Sequence, residues 1–267
     1  MLPQTIAWGF LLVGLAALGL WVGWLFWRSP YTPTQTVLFY LDVLLVRLLW
    51  RADLPPRLPR EKGQGAVIVA NHRSSVDPFF IQLLAGEPVH WMVAAEYFAM
   101  PVAGWFLRQT EAIPTQRAGA DTRATKAAIR YAQEGGLVGM FPEGRINVTD
   151  EFLLPIRPGA ALVAIRAKAP IIPCYIEGAP YDGKHAWSPF VRRARVKVRF
   201  GEPIDVTEYT DTGNDREAAK ALIVRAMKEV ARLAGHVDYE PKLAGRRWMP
   251  NAAGESVENE DEANADS

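Results

Sequence analysis

Residues 6–27 run 22 positions without a charged side chain, and no other stretch restricts the fold of this chain so severely. As a helix the run rises about 33 Å at ~1.5 Å per residue, enough for a hydrocarbon core of about 30 Å. Trp8, Trp21, Trp24 and Trp27 punctuate it, and the last three gather just before Arg28, as expected where a helix leaves a bilayer. There is no basic n-region and no small-residue cleavage site after the run, which argues against a cleaved signal peptide. Arg28, Arg47, Arg51, Arg57, Arg60 and Lys62 all lie after the run. The positive-inside rule therefore places the chain beyond residue 28 on the cytoplasmic face of an inner or plasma membrane.

A turn at residues 29–33 leads to a second apolar helix over 34–52, interrupted by Asp42 and Arg47. Two charges suit a helix lying in the interface better than one that spans. The first helix either spans or pairs with the second as a hairpin dipped into one leaflet. Pro55, Pro56 and Pro59 form a stiff linker. The expected organisation is an anchor and linker over 1–60, a folded domain over 61–250 and a disordered tail over 251–267. The tail holds six acids and no base, so the net charge of +1 conceals 30 basic against 23 acidic residues in the rest. A basic body suits anionic head groups and phosphates. No nucleic-acid-binding motif accompanies it, so no nucleic-acid partner is expected. The single cysteine, Cys174, lies in an apolar strand and reads as a buried, inert thiol.

From Gly65 onward, strand-like and helix-like segments alternate, the pattern of an α/β layer structure. The apolar run Ala66–Ala70 reads as a buried strand and the segment from Asp77-Pro78 as a helix start, with Asp77 as N-cap. His72 then sits in a strand-to-helix turn, at the carboxyl end of a strand, where open α/β sheets bind ligands. A histidine and an aspartate in one turn can act as a base and the group that orients it; equally, Asp77 can cap and His72 fill the turn. Residues 137–141 form a second such strand, ending in Pro142-Glu143-Gly144-Arg145. Residues 121–134 and 215–234 read as amphipathic helices, and Arg157-Pro158-Gly159 opens another that runs to about Lys168. Arg195, Lys197 and Arg199 fall on one face of a strand over 194–200, a pattern usual for a solvated face.

Asn71, His72 and Asp77 form an NH-x4-D block, and Phe141 to Gly144 an FPEG block. With them the chain resembles the glycerolipid acyltransferase family of the 1-acylglycerol-3-phosphate acyltransferase type. Residues 112–117, ending in Arg117, resemble the family's second block, and residues 169–174 its fourth. The resemblance covers residues 66–176 in the family's order. It implies a mixed sheet flanked by helices, with residues 61–250 as the catalytic domain. It also implies transfer of a fatty acyl group from acyl-CoA or acyl carrier protein to the sn-2 hydroxyl of a lysophospholipid, making phosphatidic acid. No bound cofactor or metal is implied; the partners are the acceptor, the thioester donor and membrane lipid, with acyl carrier protein as one form of the donor.

By the same resemblance His72 is the base and Asp77 its partner, Arg145 the first cation for the acceptor phosphate and Arg117 the second. Glu143, Gly144 and Asn71 complete the substrate-binding set. In many members Thr-Arg follows the Glu-Gly pair, whereas here Arg145 follows Gly144 directly. Other lysolipids or glycerol 3-phosphate are alternative acceptors. A membrane-bound lipid hydrolase would need an aligned nucleophile or a metal. Ser74 and Ser75 stand too close to the histidine in sequence, no G-x-S-x-G elbow occurs, and His90, His185 and His236 lack metal-ligand spacing. A non-catalytic membrane-shaping protein would have little use for His72, Asp77 and Glu143 together.

Overall fold

Alternation in Ala66–Ala70 (β1) explains the centre of the molecule. Val67 and Val69 point into one apolar cluster, Ala66, Ile68 and Ala70 into another, and all five residues are fully buried. The computed structural model describes residues 2–116, 122–181, 185, 187–210 and 213–245, so Arg117 and the acidic tail lie outside the described residues. β1 is a central strand of a six-stranded sheet with Val89–Ala94 (β2), Ile113–Thr115 (β3), Leu137–Met140 (β4), Ile171–Glu177 (β5) and Lys197–Phe200 (β6). The strand order is β3-β2-β4-β1-β5-β6. All neighbours pair in parallel except β5 and β6, which makes the sheet mixed.

Two helices precede the sheet, Leu2–Arg28 (α1) and Pro33–Leu44 (α2), the latter running into a π-helical turn at Leu45–Leu49. Five more alternate with the strands: Asp77–Ala85 (α3), Pro101–Gln109 (α4), Thr122–Gln133 (α5), Gly159–Ala167 (α6) and Asp215–Leu233 (α7). Helices α5, α6 and α7 bury their apolar stripes on the face of Val67 and Val69. In α7, Leu222, Ile223, Ala226, Met227 and Val230 are all buried, at the three- and four-residue spacing of an inward stripe. The opposite face is covered by α3 and by residues 46–58.

The chain divides into two compact units, residues 1–41 and 42–267. In the first, Ile6–Arg28 is long and apolar enough to cross a membrane, and its side chains are exposed. The segment after Asp42 departs from the expectation of an anchor and linker reaching residue 60. Val46, Trp50, Ala52 and Leu58 are buried in the core beside α3 and β1. The Trp50 indole donates to the Pro189 carbonyl at 3.0 Å. Asp53 exchanges backbone hydrogen bonds with Val196 and Val198, so this segment extends the β6 edge. Part of the apolar periodicity that suggested an interface, Val46 and Trp50, is satisfied by protein, while Leu44 and Leu48 remain exposed.

Candidate active site

Because β1 and β4 are parallel neighbours, paired from Ala66↔Leu137 to Val69↔Met140, the turns beyond them emerge on the same edge of the sheet. The first turn holds His72, whose Nδ1 lies 2.9 Å from Asp77 Oδ2. The same oxygen accepts the backbone N–H groups of Arg73 at 2.7 Å and Ser74 at 2.8 Å. Asp77 is fully buried. It is not the N-cap of α3: Val76 holds that position, Asp77 is the first helical residue and Pro78 the second. The carboxylate turns back into the preceding loop because three donors converge there, where a cap would reach forward to the helix amides.

The His72 ring stacks on Phe141, with centroids 3.9 Å apart and planes 8° apart, and Phe141 stacks on Trp91 at 4.9 Å. Trp91 fits only because residue 139 is glycine, where a Cβ would stand 2.5 Å from the indole. One ring face and Nδ1 of His72 are therefore committed, leaving Nε2 as the nitrogen for another molecule. The side chain is 15% exposed.

The second turn joins the first through Glu143. Its Oε1 accepts the His72 backbone N–H at 2.7 Å and its Oε2 the Leu154 N–H at 2.8 Å. Burial pushes its carboxyl up to about 7, against the opposing effect of those two N–H donors. Both oxygens are used in bracing the loops, so this carboxylate fixes the site from behind. Asn71 is similarly committed: its amide donates to the Ile176 carbonyl at 2.9 Å and accepts the Ile176 N–H at 2.8 Å. Gly144 takes a φ of 70°, a left-handed conformation that glycine adopts without a Cβ penalty, and turns the chain so that half-buried Arg145 comes next at the edge of the site.

The Ser74 hydroxyl donates to the Pro180 carbonyl at 2.5 Å, which commits its only proton away from the histidine. Cys174 is buried, and that burial pushes its thiol well above the ordinary range. Among the described residues no cluster of His, Cys, Asp or Glu could hold a metal ion. His90 sits at the start of β2, at the opposite end of the sheet, stacked on Tyr131 at 3.6 Å.

Two residues bear on the site without any signal in sequence. The Arg73 guanidinium donates to the carbonyls of Thr149 and Glu151, both at 2.6 Å, holding the loop after the second turn. The Arg157 side chain lies against Gly144, its Nε 3.8 Å from where a Cβ would be. The Arg73 contacts join positions 76 and 78 residues apart. A cavity of about 500 Å³ opens on the β5 side, lined by Asn71, Arg73, Asn147, Tyr175 and Gly178 among others.

A buried carboxylate orienting a histidine at a strand end, with arginines at the neighbouring turn, is equipped to move a proton beside an anionic substrate. Residues 51–177 match the protein-family model named Acyltransferase. The 1-acyl-sn-glycerol-3-phosphate acyltransferase of Streptococcus pneumoniae is 29% identical over 222 residues, covering 79% of this chain and 77% of that one. The enzyme of the same name from Bacillus subtilis is 28% identical over 153 residues, covering 57% of this chain and 72% of its own. The crystal structure of the 1-acyl-sn-glycerophosphate (LPA) acyltransferase PlsC from Thermotoga maritima shares the fold. It superposes with a TM-score of 0.56 over 79% of this chain and 88% of that one, at 18% identity. The protein is thus an acyltransferase. Its likeness is, more narrowly, to enzymes named 1-acyl-sn-glycerol-3-phosphate acyltransferase.

Proposed function

We propose that this enzyme transfers a fatty acyl group from a thioester to the sn-2 hydroxyl of 1-acylglycerol-3-phosphate, yielding phosphatidic acid. The observation that carries the mechanism is the His72–Asp77 pair, with Nδ1 engaged at 2.9 Å and Nε2 left to face the acceptor. A hydroxyl is a weak nucleophile near neutral pH, and imidazole is suited to take its proton as attack proceeds. The acceptor oxygen adds to the thioester carbonyl while Nε2 removes its proton. The tetrahedral intermediate collapses with loss of the C–S bond, and the imidazolium returns the proton to the departing thiolate. Asp77 holds the tautomer and stabilises the imidazolium, the role such a carboxylate plays in a serine hydrolase. The substrate supplies the hydroxyl, so no acyl-enzyme is needed. The commitment of Ser74 to Pro180 favours this reading over a hydrolase.

Arg145 binds the acceptor phosphate, with Arg117 as a second cation. Glu143 and Asn71 hold the two turns in register, and Gly144 shapes the acceptor side. The thioester is acyl-CoA or acyl carrier protein. Helix α1 anchors the enzyme in the inner or plasma membrane with the catalytic body on the cytoplasmic face, in keeping with the six cations from Arg28 to Lys62. The test is an acceptor panel with purified enzyme in detergent and one labelled acyl-thioester. 1-Acylglycerol-3-phosphate should give the highest kcat/KM. A preference for an uncharged lysolipid, or for water, would overturn the assignment.

A further inference from the structure

Strand β4 lies between β2 and β1, so Phe141, one residue past its end, has β2 on one side and the His72 turn on the other. Trp91 pairs with Gly139 across the β2–β4 ladder, and residues 139 and 141, two apart along an extended strand, share a face. With no Cβ at residue 139, the indole occupies that space and reaches Phe141. The result is a run of three near-parallel rings: Trp91 to Phe141 at 4.9 Å and 16°, Phe141 to His72 at 3.9 Å and 8°. Among the described residues the buried Trp91 N–H has no hydrogen-bond partner, so the indole contributes here through its ring face.

The stacking discriminates between the two charge states of His72. Neutral aromatic pairs favour offset or edge-on contacts with centroids about 4.5–7 Å apart. A cation is drawn to the negative face of a ring within about 6 Å of its centroid, most strongly where water is excluded. At 3.9 Å, with its side chain largely shielded from solvent, the imidazole satisfies the second condition and is closer than the first calls for. The phenyl face therefore favours the imidazolium, the species that exists only once the acceptor's proton has moved to Nε2. An interaction stronger in the transition state than in the ground state lowers the barrier itself. Asp77 acts on that cation in the ring plane, at Nδ1, and Phe141 acts on its face.

We propose that Phe141 stabilises the His72 imidazolium through its π face, with Trp91 as the positioning residue that keeps the phenyl ring parallel to the imidazole. Both roles rest on His72 being the general base of the acyl transfer. Neither depends on which lysolipid is the acceptor, because the charge forms on the enzyme.

The test places mono-, di- and trifluorophenylalanine at position 141 of the full-length enzyme and follows single-turnover transfer to a short-chain acceptor. Fluorine drains the negative face of the ring while its shape hardly changes. The logarithm of the rate should fall in even steps, to about 2- to 30-fold below the parent for the trifluoro ring, the loss of a contact of about 0.5–2 kcal/mol. KM for acceptor and thioester should hold, because the neutral imidazole of the ground state does not use the contact. In a Trp91→Leu background the steps should flatten, and Trp91→Phe should restore them, with thermal melting to show that each variant folds. The series in the parent background needs no change in the core, so it stands even if Trp91→Leu does not fold. Level rates across that series, with His72→Ala inactive, would overturn the role of Phe141 and leave the base in place. An active His72→Ala enzyme would overturn both. Steps as steep in Trp91→Leu as in the parent would overturn the role of Trp91.

Discussion

Replacing Asp77 with asparagine separates the carboxylate's charge from its shape. The native Oδ2 accepts from His72 Nδ1, Arg73 N and Ser74 N, and an amide oxygen in its place can keep all three. The variant loses the negative charge that the imidazolium meets when His72 takes the acceptor's proton. Two unit charges about 4 Å apart interact by about 4 kcal/mol at an effective dielectric constant near 20. If most of that attraction is realised in the transition state, kcat falls by about 10³-fold. Acceptor and donor KM should change little, because the interaction develops only as the proton moves. The measurement is single-turnover transfer from a labelled acyl-thioester to a short-chain acceptor, with thermal melting to show that the loop survives. Combining His72→Ala with Asp77→Asn should cost no more than His72→Ala alone, since the pair acts as a unit. Turnover of Asp77→Asn within threefold of the parent enzyme would refute the orienting role.

Three further outcomes rest on the same geometry. Arg145→Ala should raise the KM of a phosphate-bearing acceptor about 10- to 150-fold, the worth of one charge-assisted contact of about 1.5–3 kcal/mol; a rise in thioester KM alone would move Arg145 to the donor side. Glu143 stands near 7 in the folded protein against an ordinary 4.5, so the folded state holds its proton where the unfolded chain has released it. Its contribution to stability therefore declines between about pH 4.5 and 7 and is level above, and Glu143→Gln should gain about 3 kcal/mol relative to the parent across that window in denaturant titrations. Deleting residues 1–60 should abolish cooperative melting, because fully buried Trp50 alone is worth about 3–5 kcal/mol of a total of about 5–15; deletion of residues 1–28 leaves that core intact and should melt cooperatively.

Features encoded locally are legible in the sequence. The β-branched run of β1, the strand end before His72 and the stripe of α7 each arise from spacing along one element. The pairing of the Asn71–Asp77 and Phe141–Gly144 turns rests on their family resemblance. The duties of Asn71 and Glu143 are hidden because their partners, Ile176 and Leu154, approach only in the folded sheet. The orientation of Asp77 differs from the expected cap because Asp-Pro before an apolar run is the same string whether the carboxylate faces its helix or the loop behind it. Residues 46–58 read as anchor and linker because an apolar face gives the same periodicity against lipid as against β1. Arg73 and Arg157 carry no signal, since a cation's partners here are backbone carbonyls or a glycine met in space.

The clasp between Asn71 and Ile176 spans 105 residues, and this sets a schedule for synthesis. At about 5–20 residues per second, the His72 turn leaves the ribosome roughly 5–20 s before the strand that locks it exists. Helix α1 emerges earlier still, so a nascent chain can be membrane-bound while its catalytic turn has no frame. A release factor or stall acting before residue 171 would leave an inactive fragment in which β1 lacks its β5 neighbour, a natural substrate for quality control.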